Sequence, residues 1–506
     1  MSAVPFVRPG YLVVDLRAVL SMVGRILSFL SITMLAPIAV AVLYDEPVAP
    51  FVVALAVGLA GGQALEVVCG RRSERVTVRE AFAVVALTWA LAALWGGVPF
   101  MVEGGDLSMP IDAYFETMSG FTTTGSTVIV DFSSHGHAIF FWRALTQWLG
   151  GMGIVALAIA VLGRTGPGGK ALLEREAPGP DSDKLTPRIR DTALHLWLVY
   201  IGLSVVMAAI LIAISMIDAR QGMGLYNAVV HTFTTMSTGG FSPEPRSIET
   251  FGWAAEIVIT IFMVIAGANF ALWYLTVKRH WGAALRDGEF RVYVAVLASA
   301  SVLAAVGLVA TTDKDLLSAL GEGTFQIVSM MTTTGYASQD FAVWESFSLL
   351  VLFLVMFIGG CAGSTGGAIK VIRLRLAAGG MRRDIETAVH PETVRAVRVN
   401  GRPVRDSAIQ GATVFAGIYV AAWFAGTLLL LLDCTLHGVQ QGVFMAMVSA
   451  ATTIGNVGPS IGWAGPMGSF AGYPAESKLL LAGLMWVGRL EIIPVFVLFT
   501  RAYWRR

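Results

Sequence analysis

Long apolar blocks separated by short polar connections run through almost the whole chain. A helix needs roughly 20 apolar residues to cross a bilayer. Ten blocks qualify as spans: 17–43, 50–69, 77–102, 138–163, 191–217, 252–277, 291–311, 343–377, 407–432 and 477–501. The eighth is interrupted by a glycine-rich stretch. The first follows Arg17, lacks a small-residue cleavage site and leads into the second, so it reads as a retained span rather than a signal peptide.

The connections give the orientation. Cations concentrate in alternate gaps: Arg71, Arg72, Arg75 and Arg79 in 70–79; Arg164, Lys170, Arg175, Lys184, Arg188 and Arg190 in 164–190; Lys278, Arg279, Arg286 and Arg291 in 278–291; and eight arginines, from Arg373 to Arg405, in 373–406. The other gaps hold only Arg220, Arg246 and Lys314. Cytoplasmic loops carry the excess of Lys and Arg, so both termini are expected in the cytoplasm.

The external gaps contain a fourfold repeat: Phe115-Glu-Thr-Met-Ser-Gly-Phe-Thr-Thr-Thr-Gly125, His231-Thr-Phe-Thr-Thr-Met-Ser-Thr-Gly-Gly240, Phe325-Gln-Ile-Val-Ser-Met-Met-Thr-Thr-Thr-Gly335 and Phe444-Met-Ala-Met-Val-Ser-Ala-Ala-Thr-Thr-Ile-Gly455. Each copy is too short to cross and suits a re-entrant half-helix. Irregular backbone at membrane depth is tolerated only where it is buried in protein or lines water. A half-helix ending in Thr-x-Gly therefore points to a loop whose carbonyls face a pore and replace the water shell of a cation. Glycine lets a carbonyl turn inward, and the half-helix ends in a negative dipole that favours a cation. One such segment alone would read as an ordinary Thr- and Gly-rich external loop; four, each between two spans, reverse that and favour the pore. The predicted fold is an all-α integral membrane protein with ten transmembrane helices: four pseudo-symmetric helix–pore loop–helix repeats around a central pore, plus two N-terminal helices. The divisions are 1–70 for the N-terminal pair, then repeats at 71–165, 166–280, 281–378 and 379–506.

Composition narrows the function. Of 506 residues 56% are hydrophobic and 14% charged, with a net charge of +1 and a mean hydropathy of +0.71. These values exclude an ordinary soluble enzyme, a disordered chain and a nucleic-acid binder. Cys69, Cys361 and Cys434 are too dispersed for a disulfide framework or a zinc site. No Ser/His, paired-Asp or His-Glu-x-x-His constellation lies inside the spans, so no catalytic residues and no enzyme are expected. Glycine, at 55 residues, exceeds what lipid-facing helices need.

From about residue 18 to its end the chain resembles the Trk/Ktr/HKT superfamily of K+ transporters, and within it the bacterial TrkH-type transmembrane subunits. The resemblance is carried by the four repeat segments, Gln147-Trp-Leu-Gly-Gly-Met-Gly-Ile154, Lys184-Leu-Thr-Pro-Arg-Ile189, Gly359-Gly-Cys-Ala-Gly-Ser-Thr-Gly-Gly367, Ile369-Lys-Val-Ile-Arg373, Val389-His-Pro391 and Gly488-Arg-Leu-Glu491. It implies a selectivity filter made by the backbone carbonyls of Thr123, Thr124 and Gly125; Thr238, Gly239 and Gly240; Thr333, Thr334 and Gly335; and Thr453, Ile454 and Gly455. K+ would sit at Thr124, Gly125, Gly239, Gly240, Thr334, Gly335, Ile454 and Gly455. In the second segment Gly239 adjoins Gly240, and pairing Ala113 with Ala228 selects Gly240. In the fourth, Gly458 is the alternative to Gly455. Glycine rather than serine at position 125 implies K+ as the favoured ion. The resemblance also implies K+ as cargo with no organic cofactor on this chain, a bacterial inner-membrane location, a homodimer with a pore in each protomer, and control by a cytoplasmic TrkA-type ring of nucleotide-binding subunits.

Five glycines in nine residues unwind the span at 359–367, since each costs a helix about 1 kcal/mol relative to Ala. Gly359, Gly360, Cys361, Ala362, Gly363, Ser364, Thr365, Gly366 and Gly367 are read as a flexible plug below the filter, matching the family's intramembrane gating loop; close helix packing is the alternative. A phosphate-binding loop fails on spacing. Arg489 is a cation inside a span, where it is expensive and faces a cavity or a partner; in the family the matching arginine projects toward the pore and bears on the gate. Asn269, Gln147 and His231 are expected to make interhelical hydrogen bonds, Lys370 and Arg373 to anchor at the cytoplasmic face, and Cys361 to pack. Glu116 is either a source of negative potential at the mouth or a solvated surface group. The leading function is channel-like K+ uptake. The alternative is an H+- or Na+-coupled symporter, disfavoured by the few carboxylates in the spans.

Overall fold

The computed structural model describes residues 14–70, 77–162, 189–218, 222–280, 282–392 and 395–504. Arg71, Arg72, Arg75 and most of the basic connection 164–190, including Lys184 to Arg188, lie outside the described residues. What is described is mostly helical. Among the described residues β structure is confined to the hairpin Arg398–Val399 with Arg402–Pro403 and a single bridge between Ile358 and Ile369.

Among the described residues, six helices are long and apolar enough to cross a bilayer: Leu16–Leu43, Ala49–Cys69, Arg79–Glu103, Leu194–Ile217, Gly288–Thr311 and Asp406–Leu436. The first two pack closely because small residues face each other. A Cβ on Gly24 would lie 2.5 Å from the Gly62 carbonyl oxygen, and one on Gly62 2.5 Å from that of Gly24; such stripes of small residues let helices approach in lipid. The next helix starts at a capping box in which Thr77 and Glu80 satisfy each other's backbone N–H groups.

Three of the expected spans are broken rather than one. The segment expected as a continuous helix over 252–277 is Trp253–Ala266 followed by Phe270–Val277, bent by 100°. The block 343–377 divides into Ser346–Val355 and Val371–Val389. Its second half runs well past 377, because its last turns are polar and carry ion pairs such as Arg382–Glu386. The block 477–501 stops at Arg489 and resumes at Ile493, with left-handed backbone at Glu491 (φ 56°) and Ile492 (φ 60°) between.

Between the spans lie four short helices: Pro110–Phe121, Gly224–Met236, Leu316–Met331 and Val443–Gly455. At 12 to 16 residues and 1.5 Å per residue none can cross, as the repeats predicted. Their ends converge. Residues Thr122–Thr124, Thr234–Thr235, Ser237–Thr238, Thr332–Thr334 and Thr452–Thr453 are all buried, an unusual density of buried threonine that marks the centre of the molecule.

Candidate functional site

All four short helices terminate in one way. The N–H groups of Thr123 and Thr124 bond the carbonyls of Gly120 and Ser119; those of Thr238 and Gly239 bond Thr235 and Thr234; those of Thr333 and Thr334 bond Met330 and Ser329; those of Asn456 and Val457 bond Thr453 and Thr452. This is the paired bonding of a Schellman motif, whose first residue beyond the helix must be left-handed. That residue has φ 53° at Thr123, 53° at Thr238, 59° at Thr333 and 55° at Asn456. Left-handed backbone is rare for a β-branched residue, and three threonines in it mark a strained, over-determined site.

Each motif is followed by a glycine with positive φ: Gly125 (87°), Gly240 (74°), Gly335 (81°) and Gly458 (112°). A Cβ on Gly125 would come within 3 Å of the Gly239 carbonyl oxygen, one on Gly240 of that of Thr334, one on Gly335 of that of Val457, and one on Gly458 of that of Thr124. Each glycine thus abuts the central carbonyl of the next segment, and the fourth returns to the first. The four segments close a ring.

The first three expected triplets, Thr123–Gly125, Thr238–Gly240 and Thr333–Gly335, lie in that ring, with Gly240 rather than Gly239 at the glycine position. The fourth triplet does not. Thr453, Ile454 and Gly455 form the last turn of their helix, Thr453 Oγ1 bonding back to the Ser449 carbonyl. Their place in the ring is taken by Asn456, Val457 and Gly458. The physical reason is register: Thr452, not Ser449, is the structural counterpart of Ser329, so the shared Val-Ser-x-x-Thr-Thr-x-Gly pattern aligns the sequences three residues out.

One face of the ring opens to a cavity of about 210 Å³, bordered by Gly125, Gly240, Gly335 and Pro459. Behind the ring, Glu116 and Arg143, both fully buried, pair at 2.5 Å. Glu116 also accepts from the Val128 N–H at 2.9 Å, and Arg143 donates to the Ser242 carbonyl at 2.9 Å and stacks on Phe241 at 3.6 Å. Glu116 is therefore not solvated. Arg143 was missed by the sequence reasoning, although an arginine inside an apolar block is the same signal that singled out Arg489. Of the three expected interhelical hydrogen bonds, Gln147 reaches from its helix to residues 239 and 241 of the second segment, but His231 bonds the Asn227 carbonyl one turn back on its own helix and Ser242 Oγ in the following loop, and Asn269 caps its own helix by accepting from the Ala271 N–H.

On the opposite face lies the loop 359–369. It touches three of the four helix ends: the Gly367 N–H bonds Thr333 Oγ1 at 2.7 Å, Thr365 Oγ1 bonds the Met236 carbonyl at 3.2 Å, and the Ala368 N–H bonds the Gly455 carbonyl at 3.0 Å. It also closes the break in the bent helix. A broken helix leaves orphan carbonyls and N–H groups; here Gly267 O accepts from Cys361, Ala266 O from Thr365, and the Phe270 N–H donates to Gly363 O. Arg489 supplies the fourth side. It is 9% exposed and donates to the Thr365 carbonyl at 2.7 Å and to those of Gly150 and Gly151 at 2.8 and 3.2 Å. Gly150 itself packs on the Phe121 carbonyl at the first helix end. Two expected anchors belong to this assembly instead. Lys370 is buried and donates to the Gly366 carbonyl and, at 3.3 Å, to Ser364 Oγ; Arg373 pairs with Glu491 and stacks on Phe415 at 4.0 Å. Sequence separation concealed both. Cys361 packs as expected, 1% exposed.

Residues 49–506 match the family model described as TrkH, cation transport protein. The chain is 37% identical to the Trk system potassium uptake protein TrkH of Halomonas elongata, over 97% of this chain and 100% of that protein. It is 35% identical to the protein of the same name from Salmonella typhimurium, over 97% and 99%. Among solved structures it superposes on the potassium transporter TrkH from Vibrio parahaemolyticus with a TM-score of 0.84 and 31% identity, covering 97% of this chain and 100% of that one.

Proposed function

Because the chain belongs to the TrkH family of cation transport proteins, we propose that it is a channel-like subunit for K+ uptake across the bacterial inner membrane, with both termini in the cytoplasm. Its relatives are potassium uptake proteins of the Trk system. The observation that carries it is the closed ring, in which each glycine abuts the central carbonyl of the next segment. The filter is then Thr123–Gly125, Thr238–Gly240, Thr333–Gly335 and Asn456–Gly458. A K+ ion enters the cavity bordered by Gly125, Gly240 and Gly335, exchanges water for stacked carbonyls, and leaves toward four helix C-termini whose dipoles favour a cation. The membrane potential, worth about 2.3 kcal/mol per charge per 100 mV, draws it inward.

Loop 359–369 lies across the exit and is the gate, held shut by Arg489. Opening it requires an outside input. A cytoplasmic TrkA-type nucleotide-binding ring fits that need and the Trk system context of the relatives' names. The four repeats, with divisions at 71–165, 166–280, 281–378 and 379–506, surround one pore per protomer of a homodimer, behind the N-terminal pair 1–70. K+ is cargo, and we assign the chain no enzymatic step.

The test is 86Rb+ flux into liposomes holding the purified chain, with K+ and Na+ as competitors. Uptake blocked by K+ at concentrations where Na+ is ineffective is expected. Equal competition by both ions would overturn the filter, and uptake that acidifies the lumen in proportion to Rb+ would replace the channel with a symporter.

A further inference from the structure

The four filter segments are not braced alike. In the first and third, a threonine at the central position bonds a threonine two residues earlier: Thr124 Oγ1 to Thr122 Oγ1 at 2.7 Å, and Thr334 Oγ1 to Thr332 Oγ1 at 2.8 Å. The second segment has glycine at that position and cannot make this bond. Its brace comes from a different repeat. Gln147, on the helix His137–Leu162, donates from Nε2 to the Gly239 carbonyl at 2.7 Å and accepts at Oε1 from the Phe241 N–H at 3.1 Å. The amide orientation is unambiguous, because the carbonyl can only accept and the N–H can only donate. Gln147 is fully buried, so neither bond competes with water. It also explains Gly239, where a Cβ would collide with the Gln147 amide carbon. One turn earlier on the same helix face, Arg143 holds the Ser242 carbonyl.

We infer that Gln147 is a positioning residue for ion selectivity: it fixes the Gly239–Phe241 peptides and so sets the contribution of the second segment to the central carbonyl ring. This rests on the filter reading above. The Gly239 carbonyl abuts Gly125 on one side and receives a hydrogen bond from Gln147 on the other. A carbonyl that already accepts an N–H offers less electron density to an ion and less freedom to move. The ring at this level then has three carbonyls without such a side-chain donor, from Thr124, Thr334 and Val457, and one stiffened member. Stiffness matters more for Na+ than for K+, because the smaller ion needs the ring to contract.

The experiment is competitive 86Rb+ flux by the full chain in liposomes, comparing wild type with Gln147→Leu and Gln147→Met. Leu keeps the volume and makes neither bond. Met keeps the unbranched length of Gln and likewise can neither donate to the Gly239 carbonyl nor replace the amide oxygen. Loss of one or two neutral hydrogen bonds corresponds to about a two- to tenfold change in the K+/Na+ competition ratio, and that fall, with Rb+ flux retained, is expected for Leu. The same fall is expected for Met. A residue that merely packed would change the amount of folded protein and scale all fluxes together. An unchanged ratio in Gln147→Leu overturns the inference; if that variant does not fold, an unchanged ratio in Gln147→Met does so. Wild-type chain without K+-preferring flux overturns the filter reading and this inference with it, whereas wild-type selectivity preserved in both variants removes this inference alone.

Discussion

The Glu289 carboxylate accepts the Ala362 N–H at 2.7 Å and the Ile372 N–H at 3.1 Å through one oxygen, so a single buried side chain ties the loop 359–369 to the first turn of the helix that follows it. Glu289 stands in the first turn of the helix Gly288–Thr311. Its neighbours Asp287 and Gly288 are in turn bonded to Asn400 at the tip of the hairpin 398–403. The loop proposed as the gate is thereby connected by hydrogen bonds to a surface feature. Glu289→Ala leaves two buried N–H groups without an acceptor, each costing about 1–3 kcal/mol, with the loop bearing the loss. Basal Rb+ leak through the isolated chain should rise several-fold, and Glu289→Gln, which keeps an acceptor oxygen, should leak less. Equal leak in Ala, Gln and wild type would disconnect this residue from gating.

The filter glycines lead to a second prediction. Gly125 combines a φ of 87° with a neighbouring carbonyl in the space a Cβ would take, so Gly125→Ser must displace the Gly239 carbonyl. The K+/Na+ ratio in flux competition should fall. Gly458 is equally confined, at φ 112° and with the Thr124 carbonyl oxygen 2.6 Å from a Cβ, whereas Gly455 is helical and a Cβ there would meet the Tyr419 hydroxyl at 3.2 Å. Gly458→Ala is therefore expected to lose selectivity and Gly455→Ala to keep most of it. The opposite order would return the fourth filter position to Gly455.

That contrast indicates how much the sequence alone could convey. The apolar blocks, the four half-helices and the glycine-rich break at 359–367 were legible, because apolar length and glycine clusters act locally, whereas the breaks at 267–269 and 490–492 were not. The fourth filter position was not. Thr452-Thr453-Ile454-Gly455 repeats the third segment's letters, but the helix end is set by where the left-handed residue falls, and Asn456 takes that role as readily as a threonine. The bend at Gly267–Asn269 was hidden for another reason: its stabilising partners, Cys361, Gly363 and Thr365, lie about a hundred residues away. The ion pair Arg373–Glu491 depends on packing between repeats, and Glu116–Arg143 on packing between two helices of one repeat, which no local pattern encodes.

Arg489 gives a third prediction. Its guanidinium joins the Thr365 carbonyl in the loop to the Gly150 and Gly151 carbonyls on another helix. Arg489→Gln shortens the side chain and removes the charge, freeing the loop and lowering the barrier to a cation beneath the filter. Rb+ leak should increase while the K+/Na+ ratio stays near wild type, since the ring is untouched. Deleting Gly363–Gly367 should leak more strongly still. A selectivity change without a leak would place Arg489 in the filter's support rather than in the gate.

The buried pair Glu116–Arg143 is expected to matter for stability before transport. Removing one partner of a buried ion pair leaves an uncompensated charge, at about 3–5 kcal/mol. Glu116→Ala strands Arg143, which keeps the Ser242 carbonyl and the Phe241, Phe132 and Phe140 rings but loses its carboxylate. It also strips the Val128 N–H and Thr127 Oγ1 of their acceptor. Arg143→Met strands Glu116, but those two donors still meet its carboxylate. Glu116→Ala should accordingly lower the detergent-solubilised melting temperature more than Arg143→Met. The double variant, with no stranded charge, should be less destabilised than the sum of the two single effects. Fluorescence-monitored thermal unfolding of the three variants decides the matter: strictly additive effects would mean that the two side chains stabilise the protein independently, despite their 2.5 Å contact.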